Sequence, residues 1–596
     1  MIRVADYIAK RLAEFGIEHA FIVTGGGAMH LNDAFGKSPI TTIFNHHEQA
    51  STIAADGYFR ASNKIPVVNV TTGPGGTNAI TGVYGAWTDS IPMIVISGQV
   101  KYETCPGKYG LDIRQLGDQE IDIISMVKNI TKYSVIITNP KDIRFHLEEA
   151  LFQAFSGRFG PVWLDIPLDI QGAMVDEASL KGFVPDSEPL DRRLVLLKQQ
   201  VGNLAAMIGN ASRPVVFLGS GVALSETEEQ ILSWIESIGI PVVTAWNAHY
   251  LVPDGHRCYV GRPGTVGDRA GNIAVQNSDL LIVLGSRLNI RQISYNWENF
   301  ADRAFKVMVD IDEQELNKPT LKIDLKIHCD LKDFVSAITE KPIAKNPKWL
   351  GWLKWCLGKR KQYPVVDESY YRSNLINPYV FMKELSVKLE DGAVTVCGNG
   401  SACVMAFQAF IIKQNQKLFT NSGCAAMGYD LPAAIGACLS KGSKNTVCLA
   451  GDGSIMMNLQ ELQTVATNQL PIKIFIINNN GYHSISQTQR AFFPDSLMGF
   501  NQETGVGLPD FAKIALGFGI DYFNISSMET FNQQIMEIID SPKPVICEVV
   551  VDDSQPFSPK LSSKKLADGT MVSARLENMF PFLDDDEQAK CSYSEI

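Results

Sequence analysis

The hydrophobic pattern of the final third of the chain predicts a strand, a helix and a second strand. Asn445 to Ala450 is an apolar run with strand character, and Pro471 to Ile477 is another. Between them, from Ser454 to Asn468, apolar residues recur at the spacing of one helix face. Because strand, helix, strand units cross over in a right-handed sense, we expect parallel strands with their carboxyl ends together.

The middle of the chain repeats this alternation. Four apolar runs predict buried strands separated by helices: Arg213 to Gly221, Pro241 to Thr244, Asp279 to Gly285 and Val307 to Asp312. On each side of this region lies a stretch that is richer in polar residues. These two stretches, Asp176 to Arg193 and Lys341 to Ser373, predict linkers. Three tryptophans in the second stretch predict that it packs against another part of the protein.

A chain of 596 residues is too long for one hydrophobic core. We predict an α/β fold of three doubly wound parallel-sheet domains, over residues 1–175, 190–345 and 376–553, followed by a tail at 554–596. The first and third domains are expected to share one architecture. In the tail, Met579 to Leu583 is expected to dock on the body or on a neighbouring subunit, and the acidic run Asp584 to Glu587 to be solvated.

The strongest chemical signal lies between the two strands of the last domain. Gly451-Asp452-Gly453 follows the first strand, and after 24 intervening residues Asn478-Asn479 ends the second. A carboxylate, an amide oxygen and a nearby backbone carbonyl suit Mg²⁺, which completes its shell with phosphate oxygens and water. The predicted metal ligands are Asp452, Asn479 and Gly481. Gly451, Gly453 and the helix start at Ser454 would approach a diphosphate closely. Taken alone, Gly-Asp-Gly is also an ordinary turn.

With this spacing the chain resembles the thiamine diphosphate-dependent decarboxylase and acyltransferase family. That family needs a glutamate on a different domain, and the segment from Phe44 to Ala50 resembles its His-Glu-Gln element, which assigns the role to Glu48. The resemblance implies that this carboxylic acid hydrogen-bonds the cofactor's aminopyrimidine ring and promotes proton loss from the thiazolium carbon. The alternative for Glu48 is a solvated carboxylate at a helix end.

Further segments resemble the acetolactate synthase branch, in the order that this branch has them. Val23 to Ala28 resembles its glycine turn, Thr72 to Asn78 its Gly-Pro-Gly-x-Thr-Asn loop, and Gln119-Glu120 its Phe-Gln-Glu element, with Asp118 in place of Phe. Gly423 to Pro432 resembles the segment whose bulky apolar residue bends the cofactor, here Met427, for which a gap-filling core methionine is the alternative. The resemblance implies catalytic roles for Gly26 and Gln119, and cofactor contacts by Thr24, Gly25, Gly73, Pro74, Asn78, Gly398, Ala425 and Tyr482.

In that branch the central domain holds FAD. Three matching elements stand here: Gly219-Ser220-Gly221, Gly285-Ser286-Arg287 and Asp310 at a strand end. The resemblance therefore implies FAD contacts by Gly219, Gly221, Gly285, Arg287 and Asp310. Arg287 suits a phosphate because a guanidinium has five donors and keeps its charge. An empty or nucleotide-holding domain is the alternative, since such glycine turns are common in α/β proteins.

Two departures from the family concern the acceptor side. The family's Gly-x-Arg-Phe-Asp-Asp-Arg becomes Gly285 to Arg291, in which both acidic residues are lost and the final Arg291, implied to lie near the acceptor, is kept. Thr488 stands where typical acetolactate synthases have a tryptophan, which leaves room for a larger acceptor. His483 either donates a hydrogen bond to a substrate carbonyl or begins a helix. Gly398 to Cys403 also lacks the Gln-His pair often found there.

Composition limits the cellular setting. A net charge of −11 and the lack of a long basic run exclude a nucleic-acid surface. The 11 scattered cysteines are typical of free thiols in a reducing compartment. Charged residues interrupt the start of the chain and no stretch reaches about 18 apolar residues, so neither a signal peptide nor a membrane span is expected. The cytoplasm is the expected location.

These observations lead to one functional hypothesis with two rivals. The resemblance implies decarboxylation of a 2-ketoacid, pyruvate above all, and transfer of the acyl anion to a carbonyl acceptor, with thiamine diphosphate, Mg²⁺ and FAD as cofactors. The rivals are transfer to a larger acceptor such as a keto-sugar nucleotide, and simple decarboxylation or oxidation. Since Glu48 and the Asp452 motif lie on different domains, the resemblance also implies a homodimer or homotetramer with active sites at subunit interfaces.

Overall fold

A computed structural model describes residues 1–185, 190–441, 445–565, 568 and 571–594. It contains three six-stranded sheets, two short two-stranded sheets and the helices that connect them. By their contacts the residues form two compact units, one of residues 1–187, 394–402 and 419–550, and one of residues 188–393, 403–418 and 551–596. The predicted α/β class with three sheets is confirmed.

The first sheet has the order β3-β2-β4-β5-β7-β6, and all of its strand pairs are parallel. Its helices cover both faces, so the central strands β4, β5 and β7 are buried along their whole length. The elements of this region are β1 (Ile2–Arg3), α1 (Val4–Glu14), β2 (His19–Ile22), α2 (Met29–Lys37), β3 (Thr41–Phe44), α3 (Glu48–Ser62), β4 (Val67–Val70), α4 (Pro74–Asp89), β5 (Ile94–Gln99), α5 (Ile123–Val127), β6 (Tyr133–Ile136), α6 (Ile143–Phe155), β7 (Val162–Pro167), α7 (Leu168–Gly172) and β8 (Met174–Val175).

The second sheet has a different order, β11-β10-β9-β12-β13-β14, and is again parallel throughout. The four predicted strands are present, whereas β11, with three residues, and β14, in which Lys326 and His328 alternate with apolar residues, were not predicted. The elements are α8 (Leu190–Asn210), β9 (Pro214–Leu218), α9 (Gly221–Leu224), α10 (Glu228–Ile238), β10 (Val242–Thr244), β11 (Tyr259–Gly261), α11 (Arg269–Asn277), β12 (Leu280–Leu284), α12 (Ile290–Ile293), β13 (Phe305–Asp310), α13 (Glu313–Asn317), β14 (Leu325–His328), α14 (Leu331–Thr339) and α15 (Lys348–Gln362).

The two predicted linkers differ in outcome. The first falls partly on 186–189, which lie outside the described residues. The second contains α15, and the indole nitrogens of Trp349 and Trp352 donate to the carbonyls of Ala211 and Pro214 at 2.9 and 3.0 Å. The expectation that its tryptophans pack against another part of the protein is therefore confirmed.

The third sheet has the order β16-β15-β17-β18-β20-β19, and β15, β17, β18, β20 and β19 pair in parallel. Counted along each domain, this is the order of the first sheet, so the expected shared architecture is confirmed. The elements are α16 (Pro378–Lys388), β15 (Val394–Cys397), α17 (Ser401–Ala409), β16 (Lys417–Phe419), α18 (Asp430–Lys441), β17 (Thr446–Gly451), α19 (Asp452–Ile455), α20 (Glu461–Thr467), β18 (Lys473–Asn478), α21 (His483–Phe492), α22 (Phe511–Phe518), β19 (Asp521–Ile525), α23 (Met528–Asp540) and β20 (Val545–Val550).

The single helix predicted from Ser454 to Asn468 is wrong, because two short helices, α19 and α20, take its place. The buried side chain of Asn458 lies between them and donates to the carbonyl of Gly428 at 2.8 Å. An asparagine that bonds to backbone elsewhere competes with helix continuation, and helical spacing alone does not show this.

Helices α3 and α18 touch through small residues. A Cβ atom at Gly57 would lie 2.1 Å from the carbonyl oxygen of Ala433, and one at Gly436 would lie 1.8 Å from that of Ala54. Both glycines therefore permit a backbone approach that no larger residue allows. This packing fixes α3, the helix that begins with Glu48, against the third sheet's layer.

The tail contains β21 (Ser563–Lys565), β22 (Met571–Ser573) and α24 (Asp585–Ala589). Met579 is fully buried, and its sulfur accepts from the amide of Asn272 at 3.2 Å, so the predicted docking occurs within the same chain. In the acidic run, Asp584 to Asp586 are exposed as expected, but Glu587 accepts from the Tyr363 hydroxyl at 2.7 Å. None of the helices among the described residues has both the length and the apolar character that a membrane crossing requires.

Candidate active site

Four of the predicted site residues of the first and third domains follow the strands between which the connection direction of each sheet reverses. In the third sheet this point lies between β15 and β17, which Gly398 and Asp452 follow. In the first sheet it lies between β2 and β4, which Thr24 and Gly73 follow. Ligands of open α/β sheets bind at the carboxyl ends of strands at such a point.

Asp452 is the first residue of α19 and is held by backbone donors. Its Oδ2 accepts from the backbone nitrogens of Asn479 at 3.2 Å and Gly481 at 2.8 Å, and its Oδ1 accepts from that of Gly453 at 2.7 Å. Since β17 and β18 pair in parallel, these strand ends necessarily meet. Burial raises the pKa of the Asp452 carboxyl to about 6, although the same hydrogen bonds oppose the rise.

Asn479 supplies the observation that points to a bound cation. Its amide nitrogen donates to the Ser401 hydroxyl at 2.7 Å, whereas its buried Oδ1 has no hydrogen-bond partner among the described residues. A buried acceptor without a partner is costly unless something outside the protein chain satisfies it. One carboxylate and one free amide oxygen, close together and dry, fit a hard divalent ion such as Mg²⁺.

The glycines around Asp452 and Asn479 differ in whether packing within the chain requires a residue without a side chain. A Cβ atom at Gly453 would lie 2.1 Å from the ring of Tyr482, and one at Gly481, where φ is +120°, would lie 1.9 Å from the carbonyl oxygen of Phe500. Packing within the chain therefore requires both. At Gly451 a Cβ atom would meet nothing closer than 3.7 Å, so the described residues alone do not require a glycine there.

The buried carboxylate of Asp430, which was not predicted as a site residue, supports this end of the sheet. Asp430 accepts from the Ser454 hydroxyl at 2.6 Å, and that hydroxyl accepts from the nitrogen of Gly428 at 2.9 Å. A Cβ atom at Gly398 would lie 2.1 Å from Oδ2 of Asp430. Burial raises the pKa of Asp430 to about 6. An aspartate inside the otherwise apolar run after Met427 was the available signal.

Met427 is 38% exposed, which excludes the gap-filling core alternative. Its loop is held in shape by Asn399, whose amide donates to Asn421 Oδ1 at 2.6 Å and to the Ala426 carbonyl at 2.7 Å. Ala425 has φ +57°, a conformation that costs free energy in a residue with a side chain. Met427 is therefore an exposed apolar side chain on a loop with a strained backbone, which suits contact with a ligand.

His483 is the first residue of α21 and is buried. A hydrogen bond of 3.0 Å joins its Nε2 to the side chain of Gln487, one turn further along. The helix-start position is thus observed. Thr488, on the same helix, is exposed, and its hydroxyl donates a hydrogen bond to the carbonyl of Ser484 at 3.0 Å.

Glu48 is the first residue of α3 and is only 9% exposed, so the solvated alternative is wrong. Its Oε2 accepts from the amide of Asn78 at 3.0 Å. The preceding His47 caps the helix by accepting from the nitrogen of Gln49 at 3.0 Å. Asn78, predicted to contact the cofactor, therefore holds the glutamate in place.

The three consecutive glycines after β2 differ from one another. Cβ atoms at Gly25 and Gly27 would lie 2.5 and 1.9 Å from the side chains of Thr71 and Thr72. At Gly26 a Cβ atom would meet no described atom within 4 Å. Packing explains the outer two glycines, so Gly26 is the one whose small size has no explanation within the described chain. Thr24 is exposed beside them.

The loop that carries Gln119 is held from two sides. Gly73, at φ +63° before Pro74 opens α4, lies so close that a Cβ atom would be 2.3 Å from the carbonyl oxygen of Gln119. On the other side the amide of Gln99 donates to the carbonyl of Ile121 at 2.9 Å. Gln119 itself is exposed and has φ +63°.

Gln99 is oriented in turn by Asp165, to whose Oδ2 its amide donates at 3.1 Å. Ser97 donates to the other oxygen of Asp165 at 2.5 Å. Burial raises the pKa of Asp165 to about 7. The sequence analysis assigned no role to Gln99 or Asp165, because hydrogen bonds between neighbouring parallel strands leave no fixed spacing in the sequence.

In the second sheet the connection direction reverses between β9 and β12, where dinucleotides bind in folds of this strand order. The predicted glycines lie there. A Cβ atom at Gly219 would be 2.3 Å from the carbonyl oxygen of Gly285, and one at Gly221 would be 2.8 Å from its Cα. Contact between the two turns therefore requires these glycines whether or not a dinucleotide binds.

Arg287 and Asp310 complete the predicted dinucleotide contacts. Arg287 is half-buried and forms no side-chain hydrogen bond or ion pair within the described part of the chain. Asp310 ends β13 and accepts from the nitrogen of Asp312 at 2.9 Å. A partly buried guanidinium without a protein partner at this sheet edge fits a phosphate-bearing dinucleotide such as FAD.

Arg291 lies on the short helix α12, where Asn289 is the N-cap and accepts from the nitrogen of Gln292 at 3.2 Å. Asparagine caps a helix as well as aspartate, so the loss of this acidic residue leaves the helix start intact. The Arg291 guanidinium carbon lies 5.5 Å from the ring centroid of Trp246.

Comparison with known proteins agrees with this arrangement. Three family models match the chain: the N-terminal TPP binding domain of thiamine pyrophosphate enzymes at residues 2–126, their central domain at 201–338 and their C-terminal TPP binding domain at 398–549.

Curated relatives match over nearly the whole length. An acetolactate synthase large subunit of Corynebacterium glutamicum is 30% identical, over 98% of this chain and 92% of the relative. A probable acetolactate synthase large subunit of Methanocaldococcus jannaschii is 31% identical, over 92% of each, and the isozyme 1 large subunit of Escherichia coli is 30% identical, over 93% and 95%. The chain belongs to the thiamine pyrophosphate enzyme family, in the branch of the acetolactate synthase large subunits.

Proposed function

We propose that this protein uses thiamine diphosphate and Mg²⁺ to decarboxylate pyruvate and to join the resulting two-carbon unit to the keto carbon of a second 2-ketoacid. The observation that carries the proposal is the pair of Asp452 and Asn479, with its buried and unpartnered Asn479 Oδ1. The acetolactate synthases among its relatives favour pyruvate over a larger acceptor.

The metal and diphosphate end of the cofactor would bind to the third domain. Asp452 and Asn479 supply side-chain oxygens and Gly481 a carbonyl oxygen to Mg²⁺. Gly451 and Gly453 let the backbone approach the diphosphate. Further contacts are assigned to Gly398, Ala425, Ser454 and Tyr482, and Met427 supports the bend between the two rings. This rigid end fixes where the reacting ring must lie.

The other end of the cofactor would meet the first domain. Glu48, which is buried and held by Asn78, would hydrogen-bond the aminopyrimidine ring and exchange a proton with it. When bound, the cofactor supplies an acidic thiazolium carbon and an electron sink for decarboxylation. Thr24, Gly25, Gly73 and Pro74 shape this side, and Gly26 leaves room for the reacting atoms.

The acceptor half of the reaction is assigned to three side chains. Gln119, His483 and Arg291 would bind and orient the second carbonyl substrate, His483 by hydrogen bonding to its carbonyl.

The central domain would hold FAD through Gly219, Gly221, Gly285, Arg287 and Asp310. We assign the domains to residues 1–175, 190–345 and 376–553, with the tail at 554–596.

We propose a homodimer or homotetramer, with active sites at subunit interfaces. The first domain exposes large apolar side chains beside its site, among them Met29 at 50% and Phe44 at 55%. Such side chains around a site mark an interaction surface. A cytoplasmic location is supported by the eleven cysteines, none of which forms a disulfide within the described chain. We expect neither nucleic acid nor a membrane as a partner.

The test is product identity from purified protein with thiamine diphosphate, Mg²⁺ and pyruvate. Acetolactate and carbon dioxide are expected from pyruvate alone, and an absorbance near that of bound flavin reports FAD. Aldehyde release or oxygen uptake without acetolactate would instead indicate a simple decarboxylase or oxidase. Product that forms only after a keto-sugar nucleotide is added would assign the larger acceptor.

A further inference from the structure

Arg291 carries a charge that no carboxylate of the described chain neutralises. Its side chain is exposed and forms no hydrogen bond or ion pair with the described residues. The Arg291 side chain contacts the ring face of Trp246, and its guanidinium carbon lies 5.5 Å from the ring centroid. A ring face attracts a cation through its quadrupole and accepts none of its N–H hydrogen bonds. All five donors of Arg291 therefore remain available to a ligand.

Trp246 is itself fixed. It follows β10 and is only 4% exposed. Its ring stacks on Phe407, with centroids 4.9 Å apart and 19° between the planes, and His249 packs against both rings. We call Trp246 and Phe407 the aromatic shelf. The indole nitrogen has no hydrogen-bond partner among the described residues, so the contact of Trp246 with Arg291 is made by the ring.

The sequence around Arg291 shows why a shelf is needed. In the family pattern two acidic residues precede this arginine, and here they are replaced by Asn289 and Ile290. Asn289 keeps the helix cap, and Ile290 packs on the hydrophobic core of this unit. Without neighbouring acids, another group must restrain a long arginine side chain whose rotamers are otherwise free. The ring of Trp246 provides that restraint without neutralising the charge.

We propose that Trp246 determines acceptor specificity by holding the Arg291 guanidinium on its ring face, where the guanidinium binds the carboxylate of the acceptor 2-ketoacid. This inference rests on the proposed function. Arginine pairs with carboxylate through two parallel hydrogen bonds, and a pre-oriented fork loses less entropy in forming them. An acceptor without a carboxylate gains nothing from this arrangement.

The first test compares two acceptors that differ only in the carboxylate, 2-ketobutyrate and propionaldehyde, with pyruvate as donor. In Trp246→Leu we expect the ratio of kcat/KM for 2-ketobutyrate to that for propionaldehyde to fall about tenfold, mostly through KM. Trp246→Phe keeps a ring face and should lose about twofold. Phe407→Leu removes only the stacking partner and should produce a smaller loss in the same direction, which covers the case that Trp246→Leu fails to fold.

Phe15→Leu is the matched control. It removes a ring face at 5.3 Å from the guanidinium carbon of Arg11, on the surface of the other unit, and should leave the ratio unchanged. Thermal midpoints of all variants check that the folds are equally intact. An equal loss with both acceptors, or no change in the ratio, would overturn the proposal.

A second measurement does not depend on turnover. Oxamate, which has the shape of pyruvate and does not decarboxylate, is titrated calorimetrically into the cofactor-loaded protein. Trp246→Leu and Arg291→Met should weaken its binding by a similar factor of about ten, whereas Phe15→Leu should not. Binding that is unchanged in Trp246→Leu refutes the role of the shelf. Failure of the proposed function would show instead as normal oxamate results without any acetolactate.

Discussion

The third and central domains both present glycine turns at the point where their sheets reverse direction, yet they differ in what those turns leave unsatisfied. In the third domain a buried amide oxygen, Asn479 Oδ1, has no partner in the described chain. In the central domain the turn glycines are required by contact with each other, as at Gly219 and Gly285. A glycine motif therefore does not by itself indicate a ligand, whereas a buried polar atom without a partner beside the motif does.

The metal site gives the largest expected effect. Asp452→Asn removes the carboxylate that carries the cation's charge, so Mg²⁺ and thiamine diphosphate affinity and turnover should fall more than about 100-fold. Calorimetric titration of Mg²⁺ and initial rates measure this. Asp510→Asn, which exchanges one good helix cap for another at an exposed position, is the control. If Asp452→Asn binds Mg²⁺ as tightly as the parent, the third domain does not differ from the central domain in holding a metal ion through this residue.

At Glu48 the expected loss concerns chemistry and not binding. Glu48→Gln keeps the shape and the contact to Asn78, but an amide does not transfer the proton, so kcat should fall about 10²–10⁴-fold while cofactor affinity stays near that of the parent. Asn78→Ala should lower kcat less, since it only frees the glutamate to move. Stopped-flow rates and cofactor titration separate the two. Unchanged turnover of Glu48→Gln would contradict the assignment.

The central domain offers the sharpest test of the comparison. Gly219→Ala should destabilise the protein by about 1–3 kcal/mol with or without FAD, because a Cβ atom would lie 2.3 Å from Gly285 O. Arg287→Met should leave the urea midpoint near that of the parent and weaken flavin binding. Flavin fluorescence and unfolding curves measure both. If Arg287→Met binds FAD normally, the partnerless guanidinium has another ligand.

The glycine turn of the first domain allows the same separation within three residues. Gly27→Ala should be destabilising because its Cβ atom would meet the Thr72 hydroxyl at 1.9 Å. Gly26→Ala should keep the thermal midpoint and reduce turnover, because only a bound molecule or a neighbouring subunit would fill the space beside it. A lower midpoint for Gly26→Ala would show that packing, and not the site, requires that glycine.

Asp165 should give the free energy of unfolding a dependence on pH. Burial raises the pKa of the Asp165 carboxyl in the folded protein to about 7, well above the ordinary value of an aspartate, so between these two values the folded state binds more protons than the unfolded state. Its contribution to the free energy of unfolding should therefore fall as pH rises from about 4 to about 7 and then level off. Asp165→Asn should lack this slope in urea unfolding measured at several pH values. An identical slope in the variant would assign the titration to another group.

Much of the active-site assignment could be made from sequence because it depends on short local patterns. Gly451-Asp452-Gly453 and Asn479 follow two strands that hydrophobic periodicity locates, and parallel pairing then brings them together. Gln99, Asp165 and Asp430 could not be found in this way. Their partners lie on other strands or turns, and hydrogen bonds between such elements impose no spacing along the chain.

By itself the sequence determined the α/β class, four strands of the second sheet, two strands of the third sheet, and the glycine-rich and polar residues that follow strand ends. These features depend on local periodicity and on glycines, which any folded form of the chain must accommodate. Only the tertiary structure decided which glycines serve packing, that Asn78 holds Glu48, that Met427 is presented to the outside and that Arg291 rests on Trp246. Such facts depend on distances between residues far apart in the chain, which only the packed backbone sets.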